Sequence, residues 1–142
     1  MAGKTIAQMK IGDSASLTRT ITDEDVRAFA ALTGDFNPVH VDDEAAKRSR
    51  FGKRVVHGML VGSLFSTIFG TQLPGEGAVY LKQELKFIKP VYIGDTVTAR
   101  VTLMERIEEK NRVVFETVAI NAEGVLVVTG QATLLAPEEA RA

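Results

Sequence analysis

The sequence predicts an α+β domain, an antiparallel sheet curled around one buried helix. Three observations carry this. Val97, Ala99, Val101 and Leu103 alternate with Thr96, Thr98, Arg100 and Thr102, the period of a strand with one buried face. The segment His57–Gly70 is apolar nearly all round, as a buried helix is. No helical pattern interrupts the strands after Val79, so they should pair antiparallel. The 142 residues suit a single domain, taken as 1–142 with a core from about 8 to 136.

The elements follow in order. Ser14–Thr20 reads as a short strand. Thr22-Asp-Glu-Asp25 fits a capping box, so a helix begins there. Val26, Phe29, Ala30 and Thr33 give it one face, and Gly34 is a natural stop. Asp35–Val41 is expected to be a loop, because Pro38 breaks helices and pushes Asn37 toward extended backbone. Asp42–Arg48 is a short second helix. The buried helix carries Met59, Leu60, Val61, Leu64, Phe65, Ile68 and Phe69, and about 14 residues at ~1.5 Å each make it roughly 21 Å long. Val79, Leu81, Leu85 and Phe87 should then share one strand face, with Lys82, Glu84 and Lys86 on the other. Pro90 and Gly94-Asp95 punctuate the next connection. Val113–Ile120 and Val125–Leu135 are joined by Asn121-Ala-Glu-Gly124, a hairpin turn.

Composition narrows the function. With 17 Lys+Arg against 18 Asp+Glu the net charge is −1, without the basic excess of a dedicated nucleic-acid binder. No cysteine is present, which excludes disulfide scaffolds, thiolate-bound zinc and thiol nucleophiles. The first residues lack the apolar core of a signal peptide, and Met59–Phe69 is short and interrupted by Gly62, Ser63, Ser66 and Thr67. A cytoplasmic protein without membrane or nucleic-acid partners is the expectation.

One segment looks chemical. The chain has two histidines. His40 lies in Asp35-Phe-Asn-Pro-Val-His40, where a carboxylate and an imidazole could hold a water and trade protons; the same residues are also those of an ordinary Asx turn. A metal on Asp35, His40 and Asp42 is the weaker reading, for want of a fourth ligand. His57 and Gly58 open the buried helix, where unpartnered N–H groups form the positive end of the dipole. Gly58 would let a ligand approach its backbone, or would simply permit tight packing. Ser66 lies farther along that helix, its hydroxyl also able to bond back to the preceding turn. Lys47, Arg48, Arg50, Lys53 and Arg54 form a basic cluster, either a solvated face or a contact for anionic phosphates.

Gly34-Asp-Phe-Asn-Pro-Val-His40, Val55-Val-His-Gly-Met-Leu60 and Pro90-Val-Tyr-Ile-Gly-Asp95 together resemble the MaoC-like, (R)-specific enoyl-CoA hydratases. The single-domain type that supplies (R)-3-hydroxyacyl-CoA for polyhydroxyalkanoate synthesis is the nearest in pattern. The resemblance runs from about the first strand to Leu135. It implies a hot-dog fold, a homodimer with the acyl pocket near the subunit interface, an acyl-CoA substrate, and neither cofactor nor metal. The implied reaction is reversible syn hydration of a trans-2-enoyl-CoA. Asp35 and His40 match the catalytic pair that holds the attacking water; which of them is base and which acid stays open. Asn37 would orient the site, and Ser66 matches a motif serine on the central helix. Gly58 matches the residue whose N–H polarises the thioester carbonyl, where enolate-like charge builds. Phe36, His57, Met59, Phe65 and Phe69 are the expected substrate contacts, Phe65 and Phe69 either shortening the pocket or serving as core. The same fold also serves 3-hydroxyacyl-thioester dehydratases and thioesterases, and a non-catalytic acyl-CoA binding module is a further alternative.

Overall fold

The structure is a computed structural model that describes residues 2–139. Five strands, β1 (Ser14–Thr20), β2 (Val79–Phe87), β3 (Thr96–Ile107), β4 (Arg112–Asn121) and β5 (Leu126–Leu135), form one sheet. Their order is β1-β3-β4-β5-β2, and every pairing is antiparallel. Among the described residues four α-helices accompany them, α1 (Asp23–Thr33), α2 (Pro38–Val41), α3 (Asp43–Lys47) and α4 (Gly58–Thr71), with single 3-10 turns at Ile6–Gln8 and Glu108–Lys110. Helix α4 lies against the inner face of the sheet. Its Val61, Leu64, Phe65, Ile68 and Phe69 share a core with Val97, Ala99, Val101 and Leu103 of β3, Phe115 of β4 and Leu134 of β5. This is the hot-dog arrangement the sequence leads one to expect.

Local chemistry explains the element ends. Thr22 caps α1 by accepting from the Asp25 amide, while the Asp25 carboxylate accepts from the Thr22 amide. Gly34 ends α1 at φ 82°, a left-handed conformation favoured by glycine. Asp42 caps α3 through the Glu44 and Ala45 amides. Asn121 accepts from the Glu123 and Val125 amides and so closes the β4–β5 turn.

Three expectations need correction. Residues 38–41 are a helical turn rather than loop: Pro38 occupies the first turn, where its missing N–H costs nothing, and Asn37 caps it. On β2 the alternation breaks at a bulge between Tyr80 and Lys82, where an extra residue shifts the faces. Tyr80, rather than Val79 or Leu81, therefore meets Phe69, edge to face at 5.4 Å. Finally, α4 is not buried all round. Met59, Ser63, Ser66, Thr67 and Gly70 form one exposed stripe at helical spacing, because the sheet covers only the opposite side. The neighbouring edge strand β2 exposes Val79, Tyr80, Leu81 and Phe87. Among the described residues no helix is long and apolar enough to cross a membrane.

Candidate active site

The site forms where α2 meets the start of α4. Gly34 turns the chain out of α1, and Asp35 Oδ1 accepts the Asn37 amide across a tight turn. Asn37 Oδ1 then accepts the Val39 amide and starts α2, which carries His40. The segment after α3 returns alongside: the Val55 amide donates to the Val39 carbonyl at 3.2 Å, and Val55 bridges to Tyr92. Two residues later His57 heads α4.

The two imidazoles stack, with ring centroids 3.8 Å apart and planes 26° from parallel. Phe29 of α1 packs against His57, its ring 4.8 Å from that imidazole. His57 is only 2% exposed. A carbonyl can only accept, so the hydrogen bonds fix both tautomers. His40 Nδ1 donates to the Val55 carbonyl at 2.7 Å, which leaves Nε2 as a bare acceptor. His57 Nε2 donates to the Asp35 carbonyl at 3.0 Å, and its buried Nδ1 has no partner among the described residues. His57 thereby pins the backbone of Asp35 next to the His40 ring. One ligand atom from each of Asp35, His40 and His57 lies within 4.8 Å of the others. Joint metal binding is poorly served by this geometry. Imidazole lone pairs lie in the ring plane, so two stacked rings do not converge on one ion as a tetrahedral zinc site requires. Asp42, considered as a ligand from sequence, is committed instead to capping α3.

A cavity of about 620 Å³ opens beside His40, lined also by Asn37, Gly58, Met59 and Phe87, with Arg50 and Lys89 at its polar margin. Gly58 is the first residue of α4, where the amide has no intrahelical partner. A side chain there would collide with Phe87, its Cβ falling 2.6 Å from Cε1 of the ring. A second cavity of about 440 Å³ lies along the open stripe of α4, lined by Phe29, Met59, Ser66, Tyr80, Leu81 and Leu85 among others. Gly62 on its wall is less constrained than Gly58, a Cβ there falling 2.8 Å from the single methyl Leu85 Cδ1.

The expected residues thus divide. Asn37, His40, Gly58 and Met59 line the first cavity, and Asp35 and His57 sit against His40 without lining either cavity. Ser66 lines the second cavity, about two turns from Gly58 and not beside His40. Phe36 is exposed and borders neither cavity. Phe65 and Phe69 are buried core; Phe69 backs the second cavity only through Tyr80. The sequence does not mark Phe29 or Val55 as site residues, and it places Arg54 only in a basic cluster. Phe29 was legible only as part of an apolar helix face, and Val55 acts through its carbonyl, which no side-chain pattern reveals. The basic cluster also divides. Arg54 is largely covered and ion-paired, whereas Lys47, Arg48, Arg50 and Lys53 make no ion pair among the described residues; Lys53 lies over the Tyr92 ring at 4.4 Å.

Known proteins share the fold and much of the sequence. Residues 7–125 match the family described as MaoC like domain. An (R)-specific enoyl-CoA hydratase from Rhodospirillum rubrum is 46% identical over 129 residues, covering 91% of this chain and 89% of that protein. The unliganded (R)-hydratase structure from Pseudomonas aeruginosa superposes with a TM-score of 0.91 at 41% identity, over 96% of this chain and 88% of that one. The Aeromonas caviae (R)-hydratase structure, which is described as involved in PHA biosynthesis, gives 0.89 at 43% identity, over 91% and 98%. With its fold, its loop and these relatives in accord, the chain belongs to the MaoC-like family.

Proposed function

We propose that the protein is an (R)-specific enoyl-CoA hydratase, adding water across a trans-2-enoyl-CoA to give the (R)-3-hydroxyacyl-CoA. One observation carries the reading: a carboxylate oxygen of Asp35 and a ring nitrogen of His40 lie within 4.8 Å of each other, beside a cavity that His40 lines together with Gly58, the first residue of α4. Two hydrogen bonds of ~2.8 Å to one water, opened at a tetrahedral angle, span about 4.6 Å. The pair therefore suits a single bridging water. Asp35 and His40 hold it and take its proton as the hydroxyl adds to C3, and a proton returns to C2 on the same face. Charge moves onto the thioester oxygen, where the Gly58 amide at the positive end of α4 stabilises it. Asn37 keeps the turn in register by capping α2. Dehydration of a 3-hydroxyacyl thioester is the same path reversed.

The thioester and pantetheine arm occupy the first cavity, with Arg50 and Lys89 toward the phosphates of coenzyme A. The acyl chain follows the more apolar second cavity, past Met59 and Ser66 toward Tyr80. A homodimer completes this site. Edge strand β2 and the open stripe of α4 are apolar and adjacent, and an exposed apolar edge invites pairing with a second copy. A cytoplasmic setting and a supply of (R)-3-hydroxyacyl-CoA to a polyester synthase belong to the same reading. The latter is supported by the likeness to the Aeromonas caviae hydratase, itself involved in PHA biosynthesis.

Asp35→Asn and His40→Gln test the assignment. Each should lower kcat for crotonyl-CoA by about 10²–10⁴, while calorimetry shows acyl-CoA affinity within a few-fold of the parent. Unchanged rates in both variants would remove the pair from the mechanism.

A further inference from the structure

The sequence groups Arg54 with exposed lysines and arginines, but its side chain is 9% exposed. What it holds follows from the carbonyls of α2. A single helical turn leaves its carbonyls without intrahelical partners, and each finds one here. The Pro38 carbonyl accepts from the Asp42 amide at 2.9 Å, and that of Val39 accepts from the Val55 amide. The His40 carbonyl accepts from Arg54 Nε at 2.7 Å, and the Val41 carbonyl from Arg27 Nη2 at 3.3 Å. Both guanidinium groups converge on Asp23 at the start of α1. Arg54 Nη2 bonds to its carboxylate, and Arg27 Nε donates to it at 3.1 Å. Arg54 Nη1 also lies 3.8 Å from Asp43. The bond from Arg54 is the largest influence holding the Asp23 carboxyl below its ordinary range.

The neighbouring peptide grips the same histidine by its ring. The Val55 carbonyl accepts a hydrogen bond from His40 Nδ1, while Arg54 Nε donates to the His40 carbonyl. Two successive residues therefore hold His40 by side chain and main chain. We propose that Arg54, anchored by Asp23, is a positioning residue for His40, which keeps the ring in the Nδ1–H tautomer with Nε2 turned to the substrate. A planar guanidinium suits the task, because it serves the carbonyl and the carboxylate at once from a fixed fork, which an ammonium cannot do.

The kinetic arm rests on the hydratase reading; the spectroscopic arm does not. With only two histidines in the chain, a nitrogen-15 imidazole spectrum recorded above the imidazole titration range reads both tautomers, and His40→Gln assigns them. The parent should show His40 as Nδ1–H and His57 as Nε2–H. In Arg54→Met the His40 signals should move to a mixture of tautomers while those of His57 stay. Its kcat for crotonyl-CoA should fall about 10- to 100-fold with KM changed less than about threefold, as expected for a misplaced group rather than lost binding. Arg54→Lys should recover part of both readouts, and Asp23→Asn should give a weaker form of both. Should Arg54→Met not fold, these two milder variants carry the same comparison. A pure Nδ1–H His40 in the variants, or a kcat within about twofold of the parent, would overturn the proposal. A parent that hydrates no enoyl-CoA would instead refute the proposed function, with the tautomer comparison still deciding whether Arg54 sets the ring.

Discussion

Substituting Gly58 by alanine places one methyl group at the junction of fold and chemistry. Its Cβ would sit 2.6, 2.9 and 3.1 Å from three carbons of the Phe87 ring. Ordinary carbon contacts are about 3.7 Å, so the ring or the helix start must retreat by about 1 Å. Overpacking of this kind costs roughly 1–3 kcal/mol. Phe87 ends an edge strand and is 51% exposed, so it can yield, and the low end applies. Alanine also gains up to about 1 kcal/mol over glycine in a helix. The net change in stability is therefore small, within about 4 °C of Tm. The rate should respond far more, because ring and amide line the same cavity. A displaced oxyanion donor costs about 10²–10³ in rate, and we expect a loss of at least about 10²-fold in kcat for crotonyl-CoA, measured beside thermal unfolding. Phe87→Ala in the same chain removes the obstacle, so Gly58→Ala in that background should cost far less. A Gly58→Ala enzyme within about threefold of the parent would refute the claim that this amide must be held in place. An equal loss with and without Phe87 would show that the collision is not the cause.

Other perturbations probe the surrounding structure. Phe69→Ala removes the ring that backs Tyr80, and should raise activity on longer enoyl chains relative to crotonyl-CoA; an unchanged chain-length profile would place the acyl chain elsewhere. Leu81→Lys puts a charge on the exposed bulge of edge strand β2, and should convert a species of twice the 15.4 kDa chain mass into monomer by light scattering, with activity lost in parallel. Asp23 titrates below its ordinary range because Arg54 and Arg27 bond to it. Its contribution to stability is therefore present above the usual carboxylate pKa and lost as pH falls through the lowered folded value. The Tm difference between parent and Asp23→Asn should accordingly be constant near neutrality and shrink in acid, and a difference independent of pH would contradict the ion pair.

What the sequence discloses, it discloses through local chemistry. Thr22, Asp25 and Gly34 mark both ends of α1 because caps and left-handed stops are made by nearby residues. Val97 to Leu103 mark β3 because its two faces see different environments. Asp35, Asn37, His40 and Gly58 are legible as one constellation because they belong to two short motifs. Features made by distant contacts are not legible. Pro38 reads as a helix breaker until its place at the start of α2 is known. The bulge at Leu81 depends on the register with β5, so the face of Tyr80 could not be read from alternation. The stacking of His40 on His57, 17 positions along the chain, depends on the return of Val55 past α2. The role of Arg54 is hidden for the same reason: its partners are a backbone carbonyl of α2 and carboxylates from α1 and α3.

Crotonyl-CoA hydration, followed by loss of the enoyl-thioester ultraviolet absorbance and chiral analysis of the product, tests the hydratase reading most directly. Rapid turnover to (R)-3-hydroxybutyryl-CoA is predicted, lowered about 10²–10⁴-fold by Asp35→Asn and by His40→Gln. An (S) product, or no hydration of any enoyl-CoA by a folded protein that binds acyl-CoA, would contradict it.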